Sequence, residues 1–261
     1  MRNVITSWLM KDGPSGNKLL CNYDRMRHEI KAGDVILVEG RSRVSEVIKT
    51  LTKSPWSHSA LYIGQVNSIE DADTRELIKK HMGSLEEHEP LLLEGVLGKG
   101  FIVTPLSFYQ DDHMRISRPS GITYSDLQKV ITYAARSLGK KYSAKHIFDL
   151  LRFLLPWRVI PRFIGSRLVK YKKGTITEEI CSSMIADAFE SVNFPILPSL
   201  RKNGNQVELI KRNPLLITPS DFDYSPFFKI VKYPIFVNTE GIYRSLLWNQ
   251  DEVSNEHTHK S

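Results

Sequence analysis

Long apolar runs and cysteines are both scarce in this sequence of 261 residues. No apolar run approaches the ~20 residues that a membrane-spanning helix needs, which argues against an integral membrane protein. The two cysteines, Cys21 and Cys181, are too few for a disulfide framework in a chain of this length. Residues 1–12 lack the apolar length and the small-residue cleavage site of a signal peptide. We therefore expect a cytoplasmic protein with reduced thiols.

Positive charge is concentrated in one segment. The whole chain has a formal net charge of +7, and residues 147–173 contain seven basic residues against a single acidic one. The same segment is rich in aliphatic and aromatic residues, a combination typical of a peripheral contact with an anionic membrane surface. The alternative is an ordinary core helix whose outer side is basic. Nucleic acid is not an expected partner, because no nucleic-acid-binding motif accompanies the charge.

Turn-forming residues and changes in composition divide the chain. We expect an N-terminal lead-in at 1–30, a single folded domain at 31–240 and a disordered polar tail at 249–261. The basic and apolar segment 147–173 is interpreted as a helical insertion within that domain. The hydrophobic content of 41% is enough for a globular core.

Periodicity predicts both strands and helices. The predicted strands are 33–40, 58–64, 91–96, 101–104, 114–117 and one within 227–237. The predicted helices are 44–51, 74–81, 125–139 and 181–192.

Cys181 is a candidate nucleophile because it lies near the start of a predicted helix. Thr175 and Glu178 have the spacing of a capping box, which places the thiol within the first turns. Unpaired amides and the helix dipole stabilise a thiolate there and lower its pKa from about 8.5. The helical stripe Cys181, Ile185 and Phe189 equally fits an inert, buried cysteine, and that alternative stays open.

His58 and Glu94 lie in predicted strands that are otherwise apolar. Alternation places His58, Ala60 and Tyr62 on one face of their strand. Glu94 follows three leucines, and a carboxylate buried there needs a partner such as an imidazole N–H. If the strand has the opposite orientation, Glu94 faces solvent instead.

Short motifs around these residues resemble the YiiX/YebB-like proteins, a circularly permuted branch of the NlpC-type, papain-like cysteine hydrolases. The resemblance rests on residues 57–64, preceded by 33–37, and on the chain order His58, Glu94, Cys181. Residues 181–188 resemble the family's cysteine-serine helix start, and 139–142 resemble its glycine-to-tyrosine stretch. The chain departs from the pattern at Ser143, where the family often has an acid, and in the insertion 147–173.

The resemblance implies an α+β, papain-like fold with an antiparallel, partly closed sheet packed against helices that include the cysteine helix. It further implies a triad in which Cys181 attacks a carbonyl, His58 carries the proton and Glu94 orients the imidazole. Tyr62 and Tyr142 are implied near the substrate. The reaction is acyl transfer from an amide, ester or thioester, either to water, as in a hydrolase, or to another acceptor, as in an acyltransferase.

The basic and apolar segment favours an acyl lipid or another membrane-presented substrate, with the protein cytoplasmic or peripheral to a membrane. A peptidase acting on cell-wall-type peptides is one alternative. A catalytically silent lipid-binding or interaction module is another. No cofactor is expected. No metal site is predicted either, because His81, His88, His257 and His259 lie in polar stretches without ligand-like partners.

Overall fold

The computed structural model describes residues 22–96, 98–140, 181–203 and 206–233. The insertion predicted at 147–173, the tail at 249–261 and Tyr142 lie outside these ranges. The helices are α1 (Tyr23–Glu29), α2 (Arg43–Thr52), α3 (Ala72–Met82), α4 (Tyr124–Ala135), α5 (Cys181–Glu190) and α6 (Pro219–Tyr224). The strands are β1 (Val35–Glu39), β2 (His58–Gly64), β3 (Leu91–Val96), β4 (Gly100–Pro105), β5 (His113–Pro119), β6 (Ser199–Asn203), β7 (Gln206–Ile210) and β8 (Phe228–Val231).

Six of these strands form one antiparallel sheet in the order β4-β3-β2-β1-β5-β8. Strands β6 and β7 pair with each other as a separate two-stranded ribbon. The short connection between β3 and β4 makes them a hairpin, as the sequence predicts. The predicted α+β class with an antiparallel sheet is confirmed.

The two faces of the sheet are covered by different elements. On the first face, residues such as Leu37, Leu61 and Leu93 pack in one cluster with apolar residues of α3, α4, α5 and α6. On the second face, residues such as Ala60 and Leu92 pack with α1 and with a 3-10 turn, Leu106–Tyr109. Because successive side chains of a strand point to opposite faces, β1, β2 and β3 each contribute to both clusters.

The helix predicted at 125–139 is shorter in the structure and ends at Ala135. Ser137 and Leu138 donate their N–H groups to carbonyls only three residues earlier, so the chain tightens into turns. Gly139 then adopts a positive φ of 77° and donates its N–H to Phe101 of β4. A hydrogen bond to the sheet therefore replaces the last turn of the predicted helix.

Two parts of the fold are not predicted from the sequence. Helix α1 lies within the expected lead-in, where Met26 and Ile30 bury their side chains against the second face. Helix α6 and the ribbon β6–β7 lie in a stretch interrupted by prolines. Thr218 and Asp221 form a capping box with Pro219 at the first position of α6, which is a signal for a helix start in the sequence itself.

Candidate active site

His58 and Glu94 meet on the second face of the sheet. His58 is the first residue of β2, and Glu94 lies near the end of the antiparallel neighbour β3. His58 is two residues before Ala60 on β2, and Glu94 is two residues after Leu92 on β3. Because alternate residues of a strand share a face, His58 and Glu94 lie on the face of the second cluster, to which Ala60 and Leu92 belong. His58 Nε2 lies 2.5 Å from Glu94 Oε2. The hydrogen-bonded partner predicted for Glu94 is therefore the imidazole of His58.

Glu94 is a buried carboxylate with several donors. Only 1% of its side chain is exposed, whereas 19% of the His58 side chain is exposed. Burial alone raises the pKa of Glu94, but hydrogen bonds from His58, Thr104 and Tyr109, together with the charge of the imidazole, outweigh burial and lower the pKa. The carboxylate is therefore ionised when the site is near neutral pH.

The hydrogen bond to Glu94 also selects the tautomer of His58. An ionised carboxylate only accepts hydrogen bonds, so the ring atom that faces it, Nε2, carries a proton. In the neutral imidazole the lone pair then lies on Nδ1, which is the nitrogen that can take up a proton. This arrangement equips His58 to act as a base through Nδ1 while Glu94 fixes the ring.

Tyr109 is a member of this network that the sequence analysis missed. Its hydroxyl donates to Glu94 Oε2 at 2.5 Å, the same oxygen that His58 contacts. The Tyr109 ring also lies beside the imidazole, with 6.0 Å between ring centroids. Tyr109 follows β4 in an irregular turn, so strand periodicity does not reveal which face its side chain occupies.

Cys181 is the first described residue of α5, and its side chain is not described. The start of α5 is anchored through Ser182, whose hydroxyl donates to the carbonyl of Ile217 at 2.6 Å. Ile217 directly precedes the segment that leads into α6. The indole of Trp56 donates to Asp223, near the end of α6, at 2.9 Å.

The short helix α6 therefore links the start of α5 to the start of β2. Six residues of α-helix span only about 9 Å. Trp56, which donates to Asp223 of α6, is two residues before His58. Ser182, which donates to Ile217 two residues before α6, is next to Cys181. Helix α5 also packs against β2 and β3, the strands that carry His58 and Glu94.

Tyr62, which the resemblance implies near the substrate, lies four residues after His58 on β2. Its side chain is buried in the second cluster. Burial, followed by the neighbouring charges of Asp34 and Tyr23, raises the pKa of its hydroxyl. The structure does not bring Tyr62 into the hydrogen-bonded group around Glu94.

A second histidine-carboxylate pair lies at the same end of the sheet. His113 Nδ1 is 2.8 Å from Glu39 Oε2, and these residues face each other across β5 and β1. This pair is more open than the first, with 26% of the His113 side chain and 33% of the Glu39 side chain exposed. The ring of His113 packs beside Trp56, with 5.1 Å between centroids.

A cavity of about 250 Å³ lies elsewhere, beside the far end of α5. Its lining includes Phe194, Ile196, Leu209 and Ile217, and it contains neither His58 nor Glu94. This cavity is therefore separate from the polar group around Glu94.

Within the described ranges, no group of three or more His, Cys, Asp and Glu side chains is arranged to hold a metal ion. Nor is any helix in those ranges both long and apolar enough to cross a membrane.

Comparison with known proteins gives a family match over part of the chain. The model of the family described as "permuted papain-like amidase enzyme, YaeF/YiiX, C92 family" matches residues 29–150. This match includes His58, Glu94, Thr104 and Tyr109, and it ends before Cys181. The resemblance to YiiX-type enzymes inferred from the short motifs is confirmed. No curated protein matches the chain in sequence.

Among solved structures, the crystal structure of the metalloprotein YiiX from Escherichia coli O157:H7 is similar to this chain. The sequence identity is 17% and the TM-score is 0.47, over 78% of this chain and 97% of that chain.

Proposed function

We propose that this chain, which over residues 29–150 belongs to the permuted papain-like amidases, is a cysteine hydrolase with Cys181 as nucleophile and His58 as base. Glu94 orients the imidazole and stabilises it when it is protonated. The buried hydrogen bond between Glu94 and His58 Nε2 carries the proposal. It supplies the oriented base that a thiol nucleophile requires, and it leaves Nδ1 as the proton-accepting atom.

In the proposed reaction, the Cys181 thiol transfers its proton to His58 Nδ1, and the thiolate attacks the carbonyl carbon of the substrate. The bond to the leaving group then breaks, and His58 returns the proton to that group. Water, activated by the neutral imidazole, attacks the acyl-enzyme and regenerates the thiol. Backbone amides at the start of α5 are the donors proposed for the oxyanion.

Helix α5 packs mainly on the first face of the sheet, whereas the hydrogen bond between His58 and Glu94 lies on the second face. The mechanism therefore requires the thiol of Cys181 to meet His58 at the start of β2. His58 is the first residue of its strand, so its ring lies at the end of the sheet rather than in its middle. The hydrogen bonds of Trp56 to Asp223 in α6 and of Ser182 to Ile217, two residues before α6, support this meeting.

For the substrate, we propose an acyl amide or ester presented at a membrane surface. Support comes from the sequence of residues 147–173, where seven basic residues alternate with aliphatic and aromatic ones. Such a segment adsorbs to anionic lipid through both charge and apolar contact. A membrane-bound substrate would then be concentrated next to the protein.

The proposal is tested by hydrolysis assays with the full chain on two substrate sets. One set consists of acyl amides and acyl esters in vesicles that contain phosphatidylserine, and the other consists of soluble peptide amides. We expect turnover of the vesicle set, abolished in Cys181→Ala and retained in the matched control Cys21→Ala. Turnover of soluble peptides alone would contradict the lipid substrate. Activity that survives in Cys181→Ala would contradict the nucleophile.

A further inference from the structure

The turn after β4 contributes a hydroxyl to the His58–Glu94 pair. Tyr109 donates to Glu94 Oε2 at 2.5 Å, and the neighbouring hydroxyl of Thr104 also lowers the pKa of this carboxylate. Thr104 lies in β4 and Tyr109 in the turn that follows it, whereas neither belongs to β2. The carboxylate is therefore held by residues outside β2 as well as by His58.

A glutamate side chain has three rotatable bonds, so one hydrogen bond to His58 does not by itself fix it. The carboxylate of Glu94 is surrounded by apolar neighbours on β3, and losing a donor there is costly because water does not replace it. The hydroxyl of Tyr109 acts on Oε2 itself, the atom that faces the imidazole.

Tyr109 is itself held firmly in place. The turn that carries it begins with Leu106, whose N–H donates to the carbonyl of Pro90 at 2.8 Å, immediately before β3. The N–H of Asp112 donates to the carbonyl of Tyr109 at 3.0 Å, and the Tyr109 side chain is buried in the second cluster. The hydroxyl thus has a fixed position relative to the strand that carries Glu94.

We infer that Tyr109, assisted by Thr104, is a positioning residue that holds the Glu94 carboxylate against His58 Nε2. It acts through Glu94, whose carboxylate its hydroxyl contacts. The role of Tyr109 in catalysis rests on the proposed function, whereas its contact with Glu94 does not. The hydrogen-bonded chain from Tyr109 through Glu94 to His58 sets the fraction of molecules in which the imidazole is oriented for proton transfer.

The test measures the imidazole of His58 directly, by NMR titration of the full chain, with Tyr109→Phe as the variant. This substitution keeps the aromatic ring and removes only the hydroxyl. We expect the pKa of His58 to fall, because a less constrained carboxylate stabilises the imidazolium less. We further expect kcat/KM to fall about three- to tenfold.

Tyr233→Phe is the matched control. Tyr233 is also buried in the second cluster, but its hydroxyl donates to the backbone carbonyl of Met114 rather than to Glu94. This variant is expected to leave the pKa of His58 unchanged. An unchanged or raised pKa of His58 in Tyr109→Phe would overturn the inference.

A double-mutant cycle with Glu94→Gln separates positioning from a merely structural effect. If Tyr109 acts through Glu94, Tyr109→Phe shifts the pKa of His58 in the natural background but causes no further shift in Glu94→Gln. Equal shifts in both backgrounds would overturn the inference. Thr104→Val removes the other hydroxyl at nearly constant volume and must also lower the pKa of His58. This variant tests the inference even if Tyr109→Phe does not fold.

This titration is independent of the proposed reaction. Full activity of Cys181→Ala would contradict the proposed function, but the shift of the His58 pKa in Tyr109→Phe would still be expected. Conversely, an inactive Cys181→Ala with no shift in Tyr109→Phe would support the proposed function and contradict the role of Tyr109.

Discussion

The two histidine-glutamate pairs of this sheet have similar lengths but differ in their surroundings and in the ring nitrogen that faces the carboxylate. His58 and Glu94 are separated by 2.5 Å, and His113 and Glu39 by 2.8 Å. Both pairs join neighbouring antiparallel strands. However, only 1% of the Glu94 side chain is exposed, against 33% for Glu39. A short distance between an imidazole and a carboxylate therefore does not by itself distinguish a catalytic pair.

The surroundings of the two carboxylates explain the difference. Glu94 accepts from the hydroxyls of Tyr109 and Thr104 in a buried setting, where every hydrogen bond is stronger than in water. Glu39 instead has Lys49 at 3.7 Å, and solvent reaches both its carboxylate and its partner His113. Water and mobile ions screen an exposed pair, so its contribution is small. The comparison identifies Glu94 as a fixed acceptor and Glu39 as a surface partner.

The largest expected difference between the pairs is in catalysis by the imidazole itself. We expect His58→Ala to lower kcat/KM by a factor on the order of 10³, because proton transfer to and from the thiol loses its base. His113→Ala is the matched control and should leave kcat/KM within about threefold. The measurement is steady-state hydrolysis by both variants. Comparable losses in the two would show that the buried pair has no special role.

The next effect concerns the carboxylates. Glu94→Gln keeps the size of the side chain and removes its charge, so the imidazolium is less stabilised and the amide can present an N–H to Nε2. We expect kcat/KM to fall by a factor on the order of 10², with a lower pKa of His58. Glu39→Gln should change neither quantity appreciably. A larger loss in Glu39→Gln than in Glu94→Gln would reverse the comparison.

The buried pair also makes a prediction for stability against pH. The pKa of Glu94 is lowered in the folded protein, so the unfolded chain binds a proton at higher pH than the folded chain does. The stabilisation from ionised Glu94 is complete above the unfolded pKa of about 4.3 and is lost as the pH falls through the folded pKa. Near pH 7 the free energy of unfolding of Glu94→Gln should be about 2 kcal/mol lower than that of the natural protein. This difference should shrink as the pH falls.

Urea denaturation of both proteins between about pH 7 and pH 3 measures this gap. A difference in the free energy of unfolding that stays constant across this range would contradict a lowered pKa of Glu94.

The smallest expected effect comes from the two serines that flank His58. Ser57 Oγ accepts the N–H of Gly40 at 2.9 Å, whereas the buried Ser59 Oγ has no hydrogen-bond partner within the described part of the chain. Removing a buried, unpaired hydroxyl also removes its desolvation penalty. We therefore expect Ser59→Ala to be neutral or more stable by up to about 1 kcal/mol, and Ser57→Ala to be less stable by about 1 kcal/mol. Thermal unfolding measures both variants. A Ser59→Ala variant that is less stable than Ser57→Ala would contradict these assignments.

Much of the fold can be predicted from the sequence, because alternation marks the strand that carries His58 and a short apolar run marks the strand that carries Glu94. The leucines before Glu94 predict that this carboxylate needs a buried partner. The match to the family confirms the enzyme class. Periodicity carries this information only where side chains follow a regular element.

Irregular elements explain what the sequence analysis missed. Tyr109 lies in a 3-10 turn. Its approach to Glu94 depends on the backbone hydrogen bond from Leu106 to Pro90 rather than on any local pattern of apolar residues. Helix α6 is too short for a clear apolar stripe, although its capping box is visible in the sequence. The contact of His113 with Glu39 depends on the pairing of β1 with β5, strands that are far apart along the chain. The catalytic roles of Cys181, His58 and Glu94 remain predictions.

If Cys181 and His58 form an activated pair, the thiol should be reactive below its ordinary pKa. The pH dependence of iodoacetamide alkylation at Cys181, read by peptide mass, measures this reactivity. Cys21 in the same chain serves as the internal reference. We predict that Cys181 still reacts near pH 6, and that His58→Ala abolishes this low-pH reaction while leaving the alkylation of Cys21 unchanged. A Cys181 that is inert, or that reacts with a midpoint near the value of about 8.5 of an unperturbed thiol, would contradict the account.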